Sequence, residues 1–162
     1  MKDKSERPNL AAMIERGNAM TEINRLEGRV VKLREDIEKD LRGRFRSPAT
    51  VGGRTVSRIW ENYNKITMLF VDGTYTAFEM TQDYDEAPVV STVCLTCEEG
   101  IEAGLVAASV AQTLHEADRA WQAPQAVERA KLQLHQAVEI LGAEEVGELV
   151  KWRLRYNGGE EQ

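Results

Sequence analysis

From residue 23 the apolar positions of this chain recur at heptad spacing: Ile23, Leu26, Val30, Leu33 and Ile37. That spacing lines one face of a helix. With Pro8 suited to a first helical turn, it predicts one long helix over residues 8–41. Taking Ile23 as position a places Val30 and Ile37 at a as well, and Leu26 and Leu33 at d, an arrangement that favours two-stranded pairing. The seam is short, because Asp40 occupies the next d position. Two readings stand side by side: an oligomer seam between two copies, or a stripe docked on the chain's own C-terminal helices. For the first, an antiparallel pair is expected. A parallel pair sets Glu22 against Glu27 and Arg29 against Arg34, whereas an antiparallel pair brings Arg29 near Asp36 and Glu27 near Arg34.

Ser47-Pro48 and Gly52-Gly53 break the helical pattern. Thr55 to Glu61 and Lys65 to Val71 are then rich in β-branched and aromatic residues and read as strands joined through Asn62-Tyr63-Asn64. Asp72-Gly73 is a two-residue type I′ turn signal, leading to a third strand from Thr74 to Met80. That turn pairs Val71 with Thr74 and Phe70 with Tyr75. One face then carries Thr67, Leu69, Val71, Thr74, Thr76 and Phe78, and the other Ile66, Met68, Phe70, Tyr75, Ala77 and Glu79. Both are partly apolar, so both are expected to be covered, by helices or by another subunit. On the first strand Arg58 and Trp60 share a face and Ile59 points the other way. Val89 to Val93 is a candidate fourth strand.

Thr96 and Glu99 form a capping-box pair for a helix running to about Trp121, with Gly100 and Gly104 as weak points within it. Pro124 opens another helix whose inward face is Val127, Ala130, Leu134, Ala137, Val138 and Leu141, ended by Gly142. A last helix runs from Ala143 to Tyr156. The expected fold class is α+β: a long N-terminal helix with a short coiled-coil seam (1–46), a small antiparallel sheet of three or four strands (47–95), and a C-terminal group of three helices packing on the sheet (96–162).

Charge changes the picture more than composition does. The 162 residues are 42% apolar and carry a net charge of −6, an acidic balance that argues against double-stranded DNA as a ligand. Residues 1–58 hold 14 basic and 9 acidic groups, and residues 66–118 hold ten acids and no Lys or Arg. Between 42 and 58 lie Arg42, Arg44, Arg46, Arg54 and Arg58 without an acid. Guanidinium forks match phosphate and carboxylate geometry, and Trp60 and Tyr63 stand nearby with flat faces for a base. The bland reading is that these arginines meet the chain's own acids.

Other chemistry is thin. Cys94 and Cys97 form a CxxC at a helix start, where a thiol can be activated, but no strands follow to complete a redox fold, and His115 and His135 match no zinc spacing. Asp83, Asp85 and Glu86 are spaced like cation ligands yet lack the glycine and distal Glu of an EF-hand loop. No nucleophile–base–orienter set and no phosphate loop occurs. Catalytic residues, metal and cofactor are therefore not expected. In general look, the short Asp72-Gly73-Thr74-Tyr75 hairpin beside helices in an acidic chain is similar to small bacteriophage proteins, a likeness that assigns no residue.

With no apolar run long enough for a bilayer, the expected setting is the cytoplasm and no membrane partner. The expected function is that of a non-enzymatic homo-oligomeric binding protein. It engages a protein partner through apolar or acidic surface along residues 66–118. The alternative is a small anionic, nucleotide-like ligand held by Arg42, Arg44, Arg46, Arg54 and Arg58 with Trp60 or Tyr63. Thiol redox at Cys94 and Cys97 is a third, weaker reading.

Overall fold

A computed structural model describes residues 10–81 and 87–157. In chain order the elements are α1 (Leu10–Arg44), a 3-10 turn (Pro48–Thr50), β1 (Val56–Asn62), β2 (Lys65–Phe70), β3 (Tyr75–Thr81), β4 (Val89–Thr92), α2 (Cys97–Glu102), α3 (Ala108–Leu141) and α4 (Ala143–Asn157). The architecture is α+β, with a long N-terminal helix, a four-stranded antiparallel sheet ordered β1-β2-β3-β4, and three helices after it. Two compact units make up the chain, residues 24–118 and residues 1–23 with 119–162. The divisions fall inside α1 and α3; residues 46 and 95 instead mark where helix gives way to sheet and sheet to helix.

The first unit holds the sheet. Its β2–β3 register differs by one residue from the sequence expectation: Leu69 pairs with Tyr75, Met68 with Thr76 and Thr67 with Ala77. The connection has three residues, Val71-Asp72-Gly73, closed by Phe70 N–H to Thr74 O at 2.9 Å and Gly73 N–H to Phe70 O at 3.0 Å. Gly73 takes φ 77°, the left-handed position such a loop requires. Asp72 Oδ1 accepts from the Thr74 N–H at 3.0 Å and its hydroxyl at 2.5 Å. Val71 leaves the hairpin and donates to Thr55 O instead. Because side chains alternate, one residue of slip exchanges the faces of the whole third strand.

One face therefore gathers Lys65, Thr67, Leu69, Tyr75 and Ala77, all buried. The segment around α2 covers it. Tyr75 Oη accepts the Leu95 N–H at 3.1 Å, Lys65 Nζ meets Glu99 Oε1 at 2.6 Å, and Asn62 donates to Glu102 at 3.3 Å. The end of α1 closes the layer. Leu41, fully buried, lies on Gly100, and the Phe45 ring stands edge-on to Tyr75 at 5.8 Å. Burying one leucine this completely contributes about 2 kcal/mol.

Along α1 the stripe foreseen as a seam is covered within the chain: Leu26, Val30 and Ile37 are buried here and Leu33 is half-buried. Ile23, in the other unit, is buried too. Pairing two copies through these side chains would first have to uncover them.

The helix foreseen from Thr96 to Trp121 is two helices. The capping box is present, with Thr96 N–H to Glu99 Oε2 at 2.8 Å and Glu99 N–H to Thr96 Oγ1 at 3.4 Å. Gly104 then adopts φ 74°, and Leu105 N–H to Gly100 O with Gly104 N–H to Ile101 O closes a Schellman stop. A salt-bridged Arg34, reaching Glu98 and Asp118 (3.3 Å), ties α1 to α2 and α3 within this unit.

In the second unit Pro124 does not open a helix; it lies inside α3. The face expected to point inward is largely uncovered, with Val127, Leu134 and Leu141 exposed. Val146 of α4 is buried, whereas Leu149, Val150 and Leu154 are exposed.

Candidate binding surface

The five arginines do not converge. Arg42 pairs with Glu38 at 3.5 Å and Arg44 with Asp40 at 2.8 Å, each one turn back on α1. Arg44 also donates to Leu105 O at 3.1 Å. Arg46 donates to Gly43 O and Phe45 O. Arg54 bridges Asp72 and Thr74 Oγ1. Thr74's hydroxyl and N–H hold the Asp72 carboxyl below its ordinary value, burial opposes them, and the charges of Arg54 and Arg46 add to the lowering. Asp72 thus occupies the place an external anion would take on Arg54. Sequence reading missed this residue because its turn signal explained it fully. Arg58 is exposed and has no ion-pair partner among the described residues.

Arg58 and Trp60 do share a face of β1, opposite Leu69 and Thr67, with Ile59 on the other face. Tyr63 stands at the β1–β2 turn, 96% exposed with φ 53°. That turn and the Asp72 turn lie at opposite ends of β2, about 20 Å apart for six residues of strand. Tyr63 and the Arg46–Arg54–Asp72 group therefore cannot grip one small ligand together. A groove of about 640 Å³ in the second unit is lined by other side chains, Arg16, Met20, Glu128 and Leu132 among them.

The cysteines do not resemble an activated pair. Cys94 is exposed and Cys97 buried. Burial pushes the Cys97 thiol up, and the charge of Glu98 adds to this against the opposing pull of Arg34. A reactive thiolate needs the opposite shift. Asp83, Asp85 and Glu86 lie outside the described residues. Among the described residues no three His, Cys, Asp or Glu side chains are placed to hold a metal ion. No helix among them is long and apolar enough to cross a membrane.

Much of the acidic stretch is spent internally: Asp72 on Arg54, Glu98 and Asp118 on Arg34, Glu99 on Lys65. Glu99 is pushed up by burial, but hydrogen bonds from Lys65 and Thr96 outweigh that and hold it below the ordinary carboxylate value.

What remains open is the second face of the sheet. Register places Ile59 beside Met68, Ile66 beside Phe78 and Met80 beside Val90. Near the Asp72 hairpin this face is closed, with Phe70, Thr74 and Thr76 buried. Toward the other end it opens: Ile59 is 64% exposed, Val90 59% and Met80 47%, and Ile66, Met68 and Phe78 are half-buried between them. The expectation that both faces would be covered holds within this chain for one face only. Compared with known proteins, the chain matches no family model, no curated protein and no solved structure.

Proposed function

We propose that this chain is a non-enzymatic binding protein whose sheet receives a protein partner on its open face. The observation that carries the reading is the continuous apolar patch from Ile59 through Met68, Ile66, Phe78 and Met80 to Val90 on an antiparallel sheet whose other face is buried at its centre, along Lys65, Thr67, Leu69, Tyr75 and Ala77. Contiguous apolar surface of this kind marks an interaction site. Glu61 lies on the same face, and residues 66–118 contain no Lys or Arg. The partner that fits presents an apolar surface with basic side chains at its margin.

The test is affinity recovery with the full chain, comparing wild type with Ile59→Asp/Val90→Asp. Both side chains are exposed, so the variant keeps the wild-type melting temperature. A partner retained in fixed proportion by wild type, and lost at least tenfold with the variant, supports the reading. Equal recovery by both proteins, or a variant that merely halves the native mass of this chain, overturns it.

A further inference from the structure

β1 and β4 are the two edges of the sheet, and each turns backbone N–H and C=O groups away from it. The β1 edge is blunted. A bulge interrupts its register between Val56 and Arg58, and Arg58 and Glu61 put charge along it. β4 has neither device. Its register with β3 is unbroken from Val89 to Thr92, it carries no charge, and all four of its residues are exposed. Val93 N–H donates to Ala77 O at 3.1 Å, and Met80, opposite Val90, sends its own N–H the other way, to Asn64 O at 2.8 Å. By the alternation of an antiparallel ladder, the N–H and C=O of Val89 and Ser91 then face β3, and those of Val90 and Thr92 point outward. A bare edge of this kind is a template for another strand.

The segment reads alike in both directions. About Ser91, Val90 is matched by Thr92, both β-branched, and Val89 by Val93. We propose that a second copy of this chain pairs with β4 antiparallel about a two-fold axis at Ser91, joining the two sheets into one. Val90 and Thr92 of the partner subunit exchange both backbone bonds, and symmetry repeats the exchange. β-branched side chains then lie side by side on both faces of the joined sheet. Ser91 faces its own copy across a pair that is not hydrogen-bonded. Other registers fail on the backbone. A shift of one residue sets outward groups against inward ones. A shift of two toward Pro88 puts a residue without an N–H opposite Thr92, and the opposite shift sets Val90 against Cys94, beyond the end of β4. Val90 also ends the open apolar face, so this pairing lays two such faces edge to edge. A few residues of strand make a small interface, so the association is read over a concentration series.

Sedimentation velocity on the full chain should show a concentration-dependent rise from the 18.2 kDa monomer to twice that mass. Thr92→Pro removes an outward N–H and leaves the bonds to β3 in place, a substitution an edge strand tolerates. It should keep the wild-type circular dichroism and stay monomeric at every concentration. Cross-linking reads the register. In a Cys94→Ser background, Ser91→Cys sets two thiols across a pair whose Cα atoms lie about 4.5 Å apart, within the span of a disulfide. Oxidised glutathione should convert it to a covalent dimer, and Val90→Cys, two residues out of line with its own copy, should cross-link about tenfold less. Ile59→Asp alone, on the opposite edge strand, should dimerise like wild type, which separates this contact from partner binding on the open face. A wild type that remains monomeric at high micromolar concentration, a folded Thr92→Pro that associates as wild type does, or equal cross-linking at positions 90 and 91 would overturn the proposal.

Discussion

Glu99 joins a sheet to a helix start: its Oε1 lies 2.6 Å from Lys65 Nζ, while its Oε2 accepts the Thr96 N–H at 2.8 Å. One carboxylate thus completes a capping box and neutralises a lysine that is buried on the covered face of β2. Removing its charge strands the ammonium in a place water hardly reaches. Glu99→Gln is expected to cost about 2 kcal/mol, read by urea denaturation, and Lys65→Met to cost less because no charge is left unpaired.

The same group gives a pH dependence. The folded Glu99 carboxyl sits below its unfolded value, so the unfolded state binds the proton more readily. The stability it contributes is therefore present above the unfolded carboxylate value of about 4.3 and lost as pH falls through the lower folded value. Urea midpoints measured from pH 6 down to pH 3 should fall for wild type, and fall less for Glu99→Gln.

Gly100 is held to glycine by Leu41. A Cβ there would lie 2.5 Å from Leu41 Cδ1 and 2.9 Å from Cδ2, and Leu41 is itself fully buried. Gly100→Ala should destabilise by about 1–3 kcal/mol, although alanine is the better helix former by about 1 kcal/mol. In a Leu41→Ala background the clash is gone, so the same substitution becomes neutral or stabilising. A double-mutant cycle on thermal unfolding reads the coupling.

At the hairpin, Gly73→Ala forces a Cβ into φ 77° and is expected to cost about 1 kcal/mol, with Gly73→Asn costing less because asparagine tolerates the left-handed region. Thermal melts of the two variants side by side check the order.

The two thiols should separate cleanly. Iodoacetamide applied to the folded protein at neutral pH should label Cys94 and spare Cys97, which burial both shields and holds protonated. Peptide mass mapping reads the ratio, and urea should equalise the two sites.

Local chemistry was legible where a residue's role depends on near neighbours. The heptad positions from Ile23 to Ile37 mark one apolar helix stripe, Thr96 and Glu99 mark a helix start, and three β-rich segments with a candidate fourth mark the strands of the sheet. These follow from periodicity and from hydrogen bonds spanning three or four residues, which the sequence alone fixes. Tertiary structure decided what competes over longer distances. The side chain of Asp72 draws Thr74 into a three-residue turn and so exchanges the faces of β3. Gly104 stops a helix that its spacing would have continued, and Asp72 claims Arg54 from eighteen residues away. The pattern shows which side chains are apolar. Only packing determines which of them find cover, and that is why Val30 is buried while Ile59 and Leu149 remain exposed.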